Sequence, residues 1–257
     1  MSVDSMEVAG LRDAWVRLGD TELTSRLLVG IEQYTSPSVI RQVLEATGSQ
    51  VFITTVDPDN NRSSLLLSDL ADEIPIEKYL WIGTTSFARS AESAWKTVNI
   101  LHDAYGITVF KLDVRGRTNE PDNRATVEVA AQLREQGWEV MPFILPDLAT
   151  AKELEALGCS ALRVMSAPVA SGHGIPNPGP IRQIIDTVDI PVVVEGGLGS
   201  ARHATLAMEL GAAAVLVNTA LVKAREPMLM AQAMKHAVEA GRLSYLAGAM
   251  PGDEIPY

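Results

Sequence analysis

Cysteine is nearly absent: Cys159 is the single one among 257 residues. No disulfide framework and no cysteine zinc cluster forms within such a chain, which fits a reducing, cytoplasmic setting. Cys159 lies just before an apolar stretch and reads as a small buried hydrophobe. Histidine is scarce as well, and His102, His203 and His236 fall on expected helices without a matching cluster, so no metal is assigned. Basic charge is outweighed, with 21 Lys and Arg against 32 Asp and Glu and a net charge of −11. That balance excludes a nucleic-acid or anionic-membrane surface as the expected partner. A phosphate would have to be held locally, by backbone N–H groups or a few basic side chains. Long apolar runs are missing too: nothing approaches a membrane span. Residues 1–10 carry acids and no apolar run, so no signal peptide is expected. A Gly-x-Gly-x-x-Gly turn after the first strand is also absent, which speaks against a dinucleotide-binding open sheet. No cofactor is called for.

What is present is rhythm. Eight short apolar stretches, at 27–31, 51–55, 80–83, 108–114, 140–145, 161–165, 191–195 and 213–218, alternate with helical patterns. Ser36-Pro37-Ser38 opens the first helix with a hydroxyl cap and an early proline. Further helices are expected over 91–105, from near 120 to 137, up to Gly158, and over 226–241. This is the pattern of an α/β protein built as a (β/α)8 TIM barrel. Residues 15–28 alternate around Gly19-Asp20, as a short N-terminal hairpin covering the barrel base would. No linker or short repeat divides the chain. One barrel domain over 1–257 is expected, with 1–10 unstructured and 242–257 a C-terminal tail. The polar segment 57–64 is long enough to serve as a lid.

The fourth stretch, Thr108-Val109-Phe110-Lys111-Leu112-Asp113-Val114, carries a lysine where a buried strand should be apolar. Side chains alternate along a strand, so Lys111 and Asp113 share a face opposite Phe110 and Leu112. An amine and a carboxylate are thus aimed together at an interior. One reading is a structural ion pair that costs about as much as it returns. The other is an imine-forming lysine with an acid/base partner, since burial favours the neutral amine that attacks a carbonyl. The strand alone leaves both open.

Barrel active sites sit at the C-terminal strand ends. Those ends carry Lys111 and Asp113, then the segment 166–180, then Glu195-Gly196-Gly197-Leu198-Gly199-Ser200, and finally Asn218-Thr219. The last two ends are where barrels commonly hold phosphate, through glycine-freed N–H groups and a helix N-terminus. Gly196 and Gly197 could equally be plain turn glycines. Ser171-Gly172-His173-Gly174-Ile175-Pro176-Asn177-Pro178-Gly179-Pro180 reads as a shaped loop, too rich in Gly and Pro for helix or strand. His173 either touches substrate or is an exposed histidine without a role. Reading Asp113 and Glu195 as a glycosidase pair leaves Lys111 unexplained. Lysine with two carboxylates points instead to carbonyl chemistry on a phosphorylated sugar.

Lys111-Leu112-Asp113, the loop Ser171-Gly172-His173-Gly174-Ile175 with Asn177-Pro178, the Glu195 to Ser200 turn, Asn218-Thr219-Ala220 and the block from Met234 to Tyr245 resemble the bacterial thiazole synthase family. The resemblance runs from about Leu27 to Gly248. It implies a barrel in which Lys111 forms an imine with 1-deoxy-D-xylulose 5-phosphate. Sulfur would arrive as the C-terminal thiocarboxylate of a ubiquitin-like sulfur carrier protein, and the barrel would form a homo-oligomer. It also implies that Asp113 and Glu195 move protons, and that Gly172, His173, Gly174, Gly196, Gly197, Asn218 and Thr219 hold the substrate and its phosphate. The departures are local. The family usually has Glu where Asp113 stands, Asp where Glu195 stands, and Gln where His173 stands. Its Arg-rich segment after the second strand is replaced by Val56-Asp57-Pro58-Asp59-Asn60-Asn61. A branch resembling this family makes 2-thiosugars from a hexose 6-phosphate such as glucose 6-phosphate in secondary metabolism, and the departures favour that branch. A Schiff-base aldolase and a non-catalytic, carrier-binding barrel remain the other readings.

Overall fold

The computed structural model describes residues 8–60, 62–63 and 74–248. Eight strands form one parallel sheet: β3 (Leu27–Val29), β4 (Val51–Thr54), β7 (Leu80–Thr84), β8 (Val109–Leu112), β9 (Glu139–Ile144), β10 (Leu162–Met165), β11 (Val192–Glu195) and β12 (Ala214–Val217). Their order, β3-β12-β11-β10-β9-β8-β7-β4, brings the two strands earliest in the barrel to the two edges of the sheet, where β3 and β4 meet. The expected (β/α)8 barrel is therefore present, near-closed. A hairpin of β1 (Val16–Leu18) and β2 (Thr21–Leu23) precedes it, as expected.

Each barrel strand is buried on both faces, hence the near-continuous apolar runs. Inward residues Leu28, Val51, Ile53, Ile82, Val109, Met141, Ala161, Val193 and Ala214 pack with Trp15, Val16, Leu18 and Leu23 of the hairpin into one cluster. The hairpin thus plugs the base. Outward residues such as Phe110, Leu112, Val140 and Val164 pack against the helices in a second, larger core.

Among the described residues the α-helices are α1 (Pro37–Thr47), α2 (Ala91–Tyr105), α3 (Asn123–Glu135), α4 (Leu148–Ala156), α5 (Pro178–Ile185), α6 (Ala201–Glu209), α7 (Thr219–Val222) and α8 (Pro227–Ala247). Local chemistry sets their starts. Ser90 and Ser93 form a reciprocal capping box at α2, and Asp122 and Asp147 accept the N–H of Ala125 and Thr150. Four expectations are corrected. Ser36 stands at the N-cap of α1, but its hydroxyl caps no backbone N–H and pairs with the Ser38 hydroxyl at 3.0 Å. The segment read as loop through Pro180 enters α5 at Pro178, because proline fits a first helical turn, whose N–H groups lack helical partners. The last helix continues through Gly241 to Ala247, so residues 242–247 are helix and not tail. Segment 56–63 carries a two-residue-per-strand hairpin, β5 (Val56–Asp57) with β6 (Arg62–Ser63). The rest of the expected lid, residues 1–7 and the end of the tail lie outside the described residues.

Gly241 sits inside α8 for a steric reason. A Cβ there would lie 2.5 Å from the Thr205 carbonyl oxygen and 2.8 Å from Met208 Cβ, both on α6. The two helices touch backbone to backbone at this point. Gly241→Ala is expected to lower unfolding stability by about 1–3 kcal/mol through overpacking, despite alanine's helix preference of about 1 kcal/mol. Urea denaturation with far-UV circular dichroism measures this.

Candidate active site

The sequence dictates an apolar lower barrel and an ionic upper layer. Val109 and Lys111 share the inward face of β8, with Asp113 just beyond its end, and Val193 and Glu195 share the inward face of β11. Register sets the heights, with Thr84 opposite Lys111 and Met165 opposite Glu195. Lys111 Nζ lies 3.4 Å from Asp113 Oδ1 and 3.5 Å from Glu195 Oε1. All three side chains are buried. The structure thus brings together the three residues singled out for chemistry.

It also brings in two arginines that sequence reading passed over. Arg163, on the inward face of β10, is completely buried. Its Nη2 donates to Asp113 Oδ1 and its Nε to Glu195 Oε2, each at 2.7 Å. Its Nη1 donates to the carbonyl of Met141 at 3.0 Å. Arg115 grips the other Asp113 oxygen, from Nη2 at 2.6 Å and Nε at 3.2 Å. Both guanidinium groups lie over the Phe143 ring, 5.0 and 5.4 Å from its centroid. The Thr85 hydroxyl fixes the Asp113 backbone, donating to its carbonyl at 2.7 Å and accepting its N–H at 2.8 Å.

The electrostatics follow from this packing. Burial alone would push the Asp113 carboxyl up, but Arg163, Lys111 and Arg115 outweigh it and hold the group well below the carboxylate range. Burial would pull the Arg163 guanidinium down, and Asp113 and Glu195 more than restore it. Glu32, just past β3, is a further carboxyl that sequence reading missed. Burial pushes it up, with Lys111 pulling the other way. It accepts the Asn218 side-chain N–H at 2.8 Å, while Asn218 Oδ1 is buried without a partner among the described residues.

Beside this cluster opens a cavity of about 360 Å³ lined by Gly172, Glu195, Gly196, Gly197, Asn218 and Thr219, with Lys223 at its wall. Gly196 and Gly197 have φ of 80° and 68°. A Cβ on either would fall within 2.7 Å of Ala167, so the turn admits only glycine at both positions. The Ser166 hydroxyl donates to the Gly196 carbonyl and helps to set that turn. Two residues expected to hold the substrate lie elsewhere. His173 is exposed and does not line the cavity. Gly174 packs under the His203 ring, where a Cβ would meet it at 2.7 Å, and its N–H donates to the Gly197 carbonyl at 2.8 Å. Cys159 is buried at the opposite, N-terminal end of β10, and burial pushes its thiol up to about 12. Among the described residues no group of histidine, cysteine and carboxylate side chains could hold a metal, and no helix is long and apolar enough to cross a membrane.

Residues 17–256 match the family described as thiazole biosynthesis protein ThiG. The chain belongs to the thiazole synthase family. It is 39% identical over 243 residues to the thiazole synthase of Aquifex aeolicus (strain VF5), covering 94% of this chain and 91% of that protein. It is also 39% identical over 237 residues to that of Geotalea uraniireducens (strain Rf4), covering 90% and 89%. Among solved structures it resembles a chain of the Amycolatopsis orientalis BexX/CysO complex, at 61% identity and a TM-score of 0.91, covering 95% of this chain and 100% of that one. Within a thiazole synthase barrel, the Lys111 layer and the glycine-lined cavity adjoin through Glu195, which belongs to both.

The ionic layer makes acid stability a reporter of Asp113. A carboxyl held low in the folded state stabilises the fold above its unfolded value of about 3.9, and that contribution is lost as pH falls below it. Asp113→Asn leaves two buried guanidinium groups short of charge, and should cost about 3–5 kcal/mol at pH 7. The difference from the unsubstituted protein should shrink steadily below about pH 4. Urea titrations at a series of pH values measure it; a difference independent of pH would contradict the assignment.

Proposed function

We propose that this chain is a sulfur-inserting synthase that joins Lys111 as an imine to an open-chain sugar phosphate and accepts sulfur from a thiocarboxylated, ubiquitin-like carrier protein, giving a 2-thiohexose 6-phosphate. The observation that carries the reading is the buried amine between two carboxylates, adjoining a glycine-lined cavity at the mouth of a thiazole synthase barrel. The amine adds to the sugar carbonyl and water leaves. A carboxylate takes a proton from the neighbouring carbon and returns one to the imine carbon, so that a ketone develops beside the former carbonyl. The carrier sulfur adds there, its acyl group passes to the oxygen on that carbon, and hydrolysis followed by loss of water leaves a thiocarbonyl; the reverse proton shift restores the imine, whose hydrolysis frees Lys111 and the thiosugar. Overall, sulfur replaces one sugar oxygen and the carrier leaves as a carboxylate, with no redox change.

Gly196, Gly197, Asn218 and Thr219 bind the phosphate in this reading, supplying binding energy remote from the reacting carbons. A branch divergent from the thiazole synthases draws support from the chain's 61% identity to the BexX/CysO chain, against 39% to the Aquifex aeolicus thiazole synthase; the hexose rests on the exchanged carboxylates Asp113 and Glu195. Solution of that neighbour together with a second protein supports a protein partner here. The buried thiol of Cys159, far from the barrel mouth, leaves sulfur delivery to the carrier. Thiazole formation from 1-deoxy-D-xylulose 5-phosphate is the second reading, favoured by the family match itself.

Borohydride reduction with glucose 6-phosphate should add the reduced sugar to one peptide, the one containing Lys111. Lys111→Ala should abolish the adduct, as read by peptide mass mapping. A stronger adduct with 1-deoxy-D-xylulose 5-phosphate would move the reading to thiazole formation, and carbon–carbon cleavage without carrier would make the protein an aldolase. Thiosugar should form only with a thiocarboxylated carrier, and Cys159→Ser should leave the rate unchanged.

The exchanged carboxylates give a separate test. A methylene changes reach by about 1 Å, and such misplacement costs on the order of 100-fold in rate. Asp113→Glu combined with Glu195→Asp should therefore cut turnover by about that factor while sugar-phosphate affinity stays nearly constant. Steady-state kinetics beside calorimetric binding reads both.

A further inference from the structure

The two carboxylates beside Lys111 are not equivalent. Both Asp113 oxygens are taken by guanidinium N–H groups, Oδ1 by Arg163 and Oδ2 twice by Arg115. Glu195 gives only Oε2 to Arg163, while Oε1 stands 3.5 Å from Lys111 Nζ and the residue lines the cavity. Arg163 bonds both carboxylates across the barrel and is itself fixed by the Met141 carbonyl and the Phe143 ring. A planar, always-charged fork suits this double grip, and a lysine would not reproduce it.

We propose that Arg163 is a positioning residue that assigns the roles: it holds Asp113 as a fixed counter-charge and turns Glu195 Oε1 toward the imine, so that Glu195 moves the proton. This rests on the imine reading above and deepens it. In the step, the C–H electron pair beside the imine becomes a carbon–carbon double bond. The C=N π pair moves to nitrogen, neutralising the iminium, and the proton passes to Glu195. Return of that proton to the former imine carbon, drawn by the enol electron pair, leaves a ketone at the neighbouring carbon as the hydroxyl proton passes to the amine nitrogen. Asp113 keeps its charge throughout, because a carboxylate accepting three guanidinium N–H bonds is a poor proton acceptor.

Two readouts on the full chain with glucose 6-phosphate separate trapping from proton transfer: the borohydride adduct by intact mass, and deuterium uptake from D2O at the carbon beside the imine. Glu195→Gln should keep the adduct and slow uptake by about 100-fold or more, the range for a lost general base. Asp113→Asn, measured on its folded fraction, should keep uptake within about tenfold. Arg163→Met should keep the adduct and slow uptake about 100-fold by misplacing Glu195, with Arg163→Lys restoring only part. Uptake that survives Glu195→Gln and fails in Asp113→Asn would overturn the assignment. So would equal loss of adduct and uptake in folded Arg163→Met. Should a variant at 113 or 163 not fold, Glu195→Gln against the unsubstituted protein decides alone. Absence of any adduct in the unsubstituted protein would instead defeat the imine reading beneath it.

Discussion

Arg163 ties strands β8, β10 and β11 together inside the barrel, and much else depends on that buried fork. Taking its charge out of water is costly, and the cost is met only if each carboxylate and each N–H finds a partner in good geometry. Those partners sit at the strand ends at heights set by register, with Met165 opposite Glu195. A slip of one residue in β10 would turn Arg163 outward into the helical layer and strand two carboxylates in the interior. The ionic layer and the register of the sheet therefore constrain each other. The apolar layer below, plugged by the hairpin, excludes water from underneath.

The fold was legible because the barrel strands are short, largely buried apolar runs that alternate with helical patterns, with capping side chains at Ser90, Asp122 and Asp147. Lys111 and Asp113 were legible for the opposite reason, as charges where the pattern demands none. Arg163 carried the same signal, a lone cation within the buried strand Leu162–Met165, but no carboxylate two residues away drew attention to it. Its partners lie 50 and 32 residues off, on other strands. Glu32 was hidden because its contact with Asn218 joins the first and last barrel strands, 186 residues apart. His173 and Gly174 show the converse: a Gly-rich loop marks close backbone approach, and at Gly174 the approaching group is the ring of His203.

The proposed function asks an acidic chain to hold an anion in the cavity at the barrel mouth. With a net charge of −11, attraction cannot come from the overall field. On that proposal the phosphate meets the backbone of the turn at Gly196 and Gly197, both in left-handed conformation against Ala167. Lys223 adds one nearby cation.

The lone thiol has a use outside the chemistry of the barrel. Cys159 is 2% exposed, and its thiolate form is scarce at neutral pH because burial pushes the group up to about 12. Thiol reagents attack thiolates that they can reach, so the folded chain offers them neither reactivity nor access. Since no other cysteine competes for the label, modification of the native protein counts openings of the β10 region alone. The molecule thus carries a built-in, single-site clock for its own unfolding.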